Sequence, residues 1–499
     1  MIRRFYCIFL FLSLSISTTV GQGYFSFSSD TKAAYGKVME LRVEEASLLL
    51  AKVKREEPEN RMVYFVENYL DFIRIFIDEN EREFENLEKN KARRIQLIKG
   101  GDRTSPYYLY TQAEIKLQWA LVRLKFGEYI TALYEVKSAY KLLNKNLKKF
   151  PDFLPSKKSL GILHALVGTI PDNYRWAFKF LSGMDGTIEQ GRQEIEEVLE
   201  FARQQGDFLF EEETLVIYSF LLLHLNNNQE EAWRLIQSGG RLNPAQSPLA
   251  CFAIANMAMR IGRNDEAIRL LENRPQGEGY YAFHFLDFML GLAKLRRLDR
   301  DADVHLEHYI LHFRGQNYIK EAYQKLAWHH LLNGDEPRYK RLIKQCKIKG
   351  QASVSNDKSA KKEAQQGIIP HPILLKARVL FDGGYYQRAY QLLAQHSPDQ
   401  FSDPGLRLEY VYRLGRISDE LDQLPLAFQY YQQTIDQGRE QKYYYACNAA
   451  LKSAILYEEQ KDYVNAEKYY ELCLSMKPNE YKSSLHGMAK AGLNRIENR

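Results

Sequence analysis

A two-helix unit recurs along this chain, and it constrains the fold more than any other feature. It is clearest over residues 447–478. The first helix carries Ala450, Ala454 and Tyr457, and Lys461 and Asp462 make the turn. The second helix carries Tyr463, Ala466, Tyr470 and Cys473, and Pro478 closes the unit. Small residues let paired helices approach closely, large ones fill the groove to the next pair, and proline ends the second helix because it cannot extend the hydrogen-bond ladder. The same offsets return at Gly415, Ala427 and Tyr431. They return at Gly384, Tyr386, Ala389 and Leu393 before Pro398, at Gly262, Ala267 and Leu271 before Pro275, and at Gly127, Tyr129, Ala132 and Ala139 before Pro151. Residues 281–313 and 318–347 have the length of a pair and keep only Leu290-Gly291 and Gly334 of the pattern. This makes about seven pairs at a spacing of roughly 35–40 residues. A lone pair cannot bury its apolar face, so such units must stack.

The positions match the tetratricopeptide-repeat (TPR) pattern. The expected fold is all-α: a TPR-like α-solenoid, a right-handed superhelix of antiparallel helix pairs, with an N-terminal helical cap. Residues 22–100 read as the cap, built from amphipathic helices over 31–54 and 61–97 that lack the repeat pattern. Residues 101–348 read as divergent pairs. Residues 349–369, rich in Ser, Lys and Ala, read as a flexible insertion, and 370–499 as the C-terminal repeats.

Residues 1–21 read as a signal peptide: Arg3 and Arg4, an apolar run from Phe5 to Ile16, then the small residues Thr19 and Gly21 before a cut at Gln22. The run is too short to span a bilayer comfortably, and no later stretch is longer and as apolar. The expectation is an exported protein of the periplasm or cell envelope with no transmembrane segment. With 69 basic and 63 acidic residues, net charge +6, the surface is mixed and no nucleic-acid partner is expected.

The candidate chemistry is sparse. His305, His308 and His312 share one helix face, with Asp301 a turn earlier and His329 and His330 on the next helix. They are weak metal candidates, favouring zinc or copper, beside the reading of ordinary repeat-surface residues. Cys447 and Cys473 fall at the same end of one antiparallel pair, as buried thiols or as a disulfide. There are 34 Tyr against 4 Trp. Tyr suits both packing and recognition, and Tyr386, Tyr431, Tyr457, Tyr463 and Tyr470 are the candidate partner contacts. The motifs of nucleophile elbows, zinc hydrolases and dinucleotide loops are missing, so no enzyme and no cofactor is expected.

Residues 161–191 carry Gly161, His164, Gly168 and Pro171, then Phe180, Gly183, Asp185 and Gly186, then Gly191. This segment resembles the family of tetratricopeptide repeat protein 39 and the fungal inclusion-body-clearance protein. The resemblance implies a helical repeat protein that acts by association and has no catalytic residues. The function expected is a non-catalytic protein–protein interaction scaffold of the cell envelope. It would bind a peptide, helix or partner domain in the concave groove, for assembly or secretion of an envelope complex. The alternative is an envelope module for a small ligand, glycan or metal ion.

Overall fold

In the computed structural model the protein is described over residues 23–170, 179, 182–206, 208–225, 229–238 and 242–497. The signal-peptide reading, and Pro171 and Phe180 of the family-like segment, lie outside these residues. Every regular element described is a helix; the extended contacts are two isolated bridges, Gly23 to Gly101 and Tyr24 to Asn60.

The helices come as antiparallel pairs. They are α1 (Ser29–Met39) with α2 (Val43–Glu56), α3 (Met62–Asp78) with α4 (Glu81–Lys99), α5 (Tyr107–Lys125) with α6 (Tyr129–Lys149), and α7 (Leu154–Gly168) with α8 (Ile188–Gln205). Next come α9 (Glu211–Leu225) with α10 (Gln229–Ser238), α11 (Pro248–Arg260) with α12 (Asn264–Glu272), and α13 (Phe285–Arg297) with α14 (Ala302–His312). After α15 (Ile319–Leu332) and α16 (Glu336–Ile348) comes an extra helix, α17 (Ser355–Gln366). The stack resumes with α18 (Pro372–Asp382) and α19 (Tyr386–Leu393), α20 (Pro404–Glu420) and α21 (Leu424–Gly438), α22 (Tyr445–Glu459) and α23 (Tyr463–Ser475). It ends on α24 (Lys482–Glu497).

One backbone device makes most of the pairs. At the end of the first helix a single residue turns left-handed, and the next amide reaches back five residues. The left-handed residue is Gly127, Gly262, Gly334 or Gly384 in four pairs, and Leu298, Asp422 or Lys461 in three others. The amides of Arg263, Asp335, Tyr385 and Asp462 then donate to the carbonyls of Ala258, His330, Leu380 and Tyr457 at 2.8–2.9 Å. This double-bonded helix ending satisfies carbonyls that would otherwise be orphaned and points the chain back along itself. Leu41 makes the same turn in the first pair, with Arg42 N donating to Lys37 O at 2.8 Å; Glu79 is also left-handed at the end of α3, its own amide donating to Ile75 O at 2.9 Å. The repeat is therefore more regular in backbone than in sequence.

Contacts between pairs give the stack its curvature. Nearly every first helix touches the first helix of the next pair: α1 to α3, α3 to α5, α18 to α20, α20 to α22, α22 to α24. Second helices of successive pairs make no comparable contact among the described residues. A stack crowded on one side and splayed on the other bends toward the crowded side, so the first helices form the inner wall.

The structure differs from the sequence reading at two places. The segment 349–369 is largely helical: α17 packs across α15 and α16, burying Asp357, Ala360 and Ala364 on one face. Its contact stripe is alanine, which allows close approach but leaves little apolar signal in the sequence. With α17 on that flank, α18 lies against both α13 and α15. The N-terminal helices, in turn, are stacked pairs that lie along an edge of the array and do not merely cover its end. Tyr281 N donates to Leu41 O at 2.8 Å, Ser247 Oγ to Met39 O at 2.7 Å, and Asn317 N to Glu79 Oε2 at 3.0 Å. The acceptors at the ends of α1 and α3 thus tie down the loops that precede α11, α13 and α15.

Candidate functional site: the inner wall and the histidine clusters

The first helices place a row of cationic side chains on the inner wall: Arg296 on α13, Lys325 on α15, Arg378 on α18, Arg413 and Arg416 on α20, and Lys452 on α22. All six are half-buried. Aromatic rings shelve them. Lys325 Nζ and the Arg378 guanidinium lie 3.7 and 4.7 Å from the centre of the Trp328 ring, and the Arg416 guanidinium lies 4.7 Å from that of Phe381. Such stacking holds a cation where water is scarce. Burial lowers the Lys325 ammonium despite the pull of Glu321, with Arg378 adding to the fall. Burial also lowers Lys452, and neighbouring Arg416 adds to it. Carboxylates stand beside every one of them: Glu321, Glu363 and Asp382 among Arg296, Lys325 and Arg378, Glu409 accepting from Arg413 Nε at 2.8 Å, and Asp419, Glu420 and Glu459 near Arg416 and Lys452. The Nε atoms of Arg296 and Arg416 are buried without a hydrogen-bond partner. Donors of that kind carry a desolvation penalty, and they lie beneath the surface that a partner would touch.

Four of the five tyrosines read from the sequence fall on second helices. Tyr431 and Tyr470 are fully enclosed. Tyr431 packs against Gly415 and donates to Asp419 Oδ2 at 2.7 Å; Tyr470 donates to Glu458 Oε2 at 2.6 Å. Neither can touch a partner in this fold, because the close approach that the small residues permit seals the rings between helices. Tyr386, Tyr457 and Tyr463 are half-buried. Tyr457, on first helix α22, stacks on Tyr469 with centroids 5.4 Å apart. The basic row was missed in the sequence because its residues sit singly on separate helices; only knowing which helices face inward joins them.

The histidines divide into two clusters on opposite flanks of α14. His308 and His312, one turn apart, have ring centroids 4.1 Å apart, and His284 from the start of α13 joins them at 6.0 and 5.6 Å. Asp287 lies beneath, its Oδ2 3.1 Å from His308 Nδ1 and 3.9 Å from His284 Nδ1. His305 stands apart: burial, then the Lys294 ammonium, lower its imidazole, and Asp301 opposes them. On the other flank Asp303 meets His329 and His330 of α15. There burial, helped by Arg338, lowers His330 to about 4.

Cys447 and Cys473 are both buried free thiols, with Sγ atoms 3.5 Å apart in the joint of α22 and α23.

A tetratricopeptide-repeat family model matches residues 250–274, which cover most of α11, the turn and all of α12. Fold and local match together define the class: an all-α solenoid of TPR-like helix pairs, with no sheet among the described residues. Curated proteins give no match. Among solved structures, a monomeric IFIT1 mutant with m7Gppp-AAAA is 14% identical over 89% of this chain and 80% of that one, at a TM-score of 0.31. Yeast Tom70 is 12% identical over 94% and 88%, at 0.25. The APC/C hetero-tetramer Cut9–Hcn1 is 12% identical over 94% and 96%, at 0.22. Scores this low carry no inference about function.

Proposed function

We propose that this protein is a non-catalytic interaction scaffold of the cell envelope, which holds an acidic peptide, helix or domain of a partner protein against its inner wall. The observation that carries this reading is the row of cations on successive first helices, with its aromatic shelves. Carboxylates and backbone carbonyls of a partner segment complement those donors, and guanidinium groups bind carboxylates in two-point fashion. Tyr457 supplies apolar contact on the same wall, and Tyr386 and Tyr463 extend it at the flank. The resemblance of residues 161–191 to the tetratricopeptide repeat protein 39 family supports the same mode of action, by association. Placement in the envelope rests on the signal-peptide pattern of residues 1–21, and service to assembly or secretion of an envelope complex follows from that placement.

The test is co-purification from the native envelope after mild crosslinking, comparing the natural chain with the double variant Arg378→Glu, Arg413→Glu. A partner protein should return with the natural chain and be lost from the variant, whose helical circular dichroism should be unchanged. A natural chain that returns alone sinks the scaffold role. A partner retained by the charge-reversed chain moves the site off the inner wall. Fractionation checks location separately: protein that keeps Met1 and resides in the cytoplasm overturns the export reading.

A further inference from the structure

His284, Asp287 and His308 converge from two helices on one point, and the ring of His312 stacks beside them. α13 and α14 run antiparallel, so the start of one lies beside the end of the other. His284 and Asp287 are three residues apart on the first; His308 and His312 are four apart on the second. Both spacings put side chains on one helix face. The ligand atoms of His284, Asp287 and His308 all lie within 4.8 Å of one another. A tetrahedral zinc ion with bonds of about 2.0–2.1 Å holds its ligand atoms about 3.3 Å apart. The 3.1 and 3.9 Å separations around Asp287 Oδ2 bracket that value, so small rotations of the half-exposed His284 ring and the exposed His308 ring close the set.

The surroundings prepare these groups for an ion. Asp287 is buried, and Arg274 donates to its Oδ1 at 2.5 Å, which fixes the carboxylate and leaves Oδ2 facing the imidazoles. Outer partners of this kind orient metal ligands, although the Arg274 charge tempers affinity for a cation. His312 Nδ1 donates to His308 O at 2.9 Å. That bond fixes its tautomer and leaves the Nε2 lone pair free at the rim. An imidazole-rich set with one carboxylate suits zinc better than the hard cations that prefer all-oxygen ligands.

We propose that His284, Asp287 and His308, with His312 as a fourth donor at the rim, bind a zinc ion that clasps the start of α13 to the end of α14. The clasp lies at the seam where the N-terminal helices meet the array. Tyr281, three residues before His284, donates to Asp78, and Asn317, five after His312, donates to Glu79. Zinc bound here stiffens both loops that hold α3 in place. The proposal is independent of the inner-wall reading, because no ligand belongs to the basic row.

The experiment uses tag-free full-length protein, stripped with a chelator and titrated with zinc chloride by calorimetry. One equivalent should bind with a micromolar or tighter dissociation constant. Cobalt in place of zinc should give the visible absorption of a low-symmetry, nitrogen-rich site. His284→Ala and His308→Ala should each weaken zinc binding by roughly tenfold or more, while His329→Ala leaves it unchanged. Hydrogen exchange over residues 278–284 and 313–318 should slow with zinc in the natural chain only. A natural chain that takes up no zinc overturns the proposal. So does unchanged affinity in both His284→Ala and His308→Ala, and so does loss of binding in His329→Ala alone, which would assign the ion to the Asp303 cluster. Circular dichroism shows that the variants are folded.

Discussion

Gly262 and Gly384 meet back to back, one from the turn between α11 and α12, the other from the turn between α18 and α19. Both are left-handed, with φ of +76° and +79°. A methyl group at Gly384 would overlap the Gly262 carbonyl. Tyr385 secures the seam: its hydroxyl donates to Asp265 Oδ1 at 2.8 Å and accepts from Asn264 Nδ2 at 3.1 Å. Helix pairs far apart in the chain are thereby locked together, which a simple linear stack does not do.

Gly384→Ala should therefore cost about 2–5 kcal/mol, the sum of a left-handed side chain and an overpacked backbone contact. Gly367→Ala is the control. It is also left-handed, at φ +71°, but has no neighbour within 4 Å, and should lose only about 1–2 kcal/mol. Urea melts of the two variants check the contrast; equal losses would mean that the seam is not tight.

The sequence made the C-terminal pairs legible because there the contact residues follow one rule. Gly415 faces Tyr431, and Tyr470 packs against Gly492. Ala427, Ala450, Ala454 and Ala466 are wholly buried where the helices cross. The first two pairs also turn on a left-handed residue, Leu41 or Glu79 in place of glycine, so their kinship with the rest is written in φ and not in residue type. The candidate sites were half legible. His308 and His312 show their spacing along one helix, but His284 and Asp287 come from another segment. The basic row is dispersed over five helices.

Lys158 tests how much a buried ion cluster matters. It is 2% exposed. It pairs with Glu213 and, at 3.7 Å, with Glu114, while Tyr69 donates to Glu213 at 3.0 Å. Lys158→Met leaves the buried Glu114 and half-buried Glu213 carboxylates without their cation, at a cost of about 3–5 kcal/mol at neutral pH. Burial already raises Glu114 against the pull of Lys158, and losing the lysine raises it further. A carboxyl raised in the folded state penalises folding above its folded pKa, and the penalty fades as pH falls toward its unfolded value. The deficit of the variant should therefore shrink on acidification. A deficit constant from pH 7 to pH 4 would assign the loss to packing.

Asp357 carries a similar signature with a different role. It is fully buried and accepts from Tyr318 N at 2.6 Å and Glu321 N at 2.9 Å, capping α15 from the neighbouring helix α17. Burial raises its carboxyl to about 6, and those backbone bonds oppose the rise. Because the folded value exceeds the unfolded one, the folded state binds more protons between about pH 4 and pH 6, and the contribution of this group becomes more favourable as pH falls through that window. Asp357→Asn does not titrate and offers one acceptor oxygen to two amides. The natural chain should be more stable than the variant, by a margin that grows on the order of 3 kcal/mol from pH 6 to pH 4. Thermal melts of both proteins across that range measure it, and a flat or narrowing margin would contradict the assignment.

The thiols of Cys447 and Cys473 bear on where the protein works. Their sulfurs are 3.5 Å apart, and a bond of about 2.05 Å needs only a modest approach at the end of the α22–α23 pair. Their contact lowers the Cys447 thiol and, with burial, pushes the Cys473 thiol up. Cys447 is therefore the thiol that ionises first, and burial of both sulfurs limits access, so the folded protein should oxidise slowly. Diamide, which takes up the two thiol hydrogens as the sulfur–sulfur bond forms, should in time give a chain two hydrogens lighter by intact mass. Cys447→Ser should not react in this way. Closing a loop across 26 residues should add about 3–4 kcal/mol and raise the thermal midpoint. A lower midpoint after oxidation would show that strain at the joint outweighs the entropy removed from the unfolded chain. Protein recovered under acid quench from an oxidising envelope should already carry the bond, whereas protein from a reducing compartment should carry both thiols. The same mass measurement therefore tests the joint and the location together.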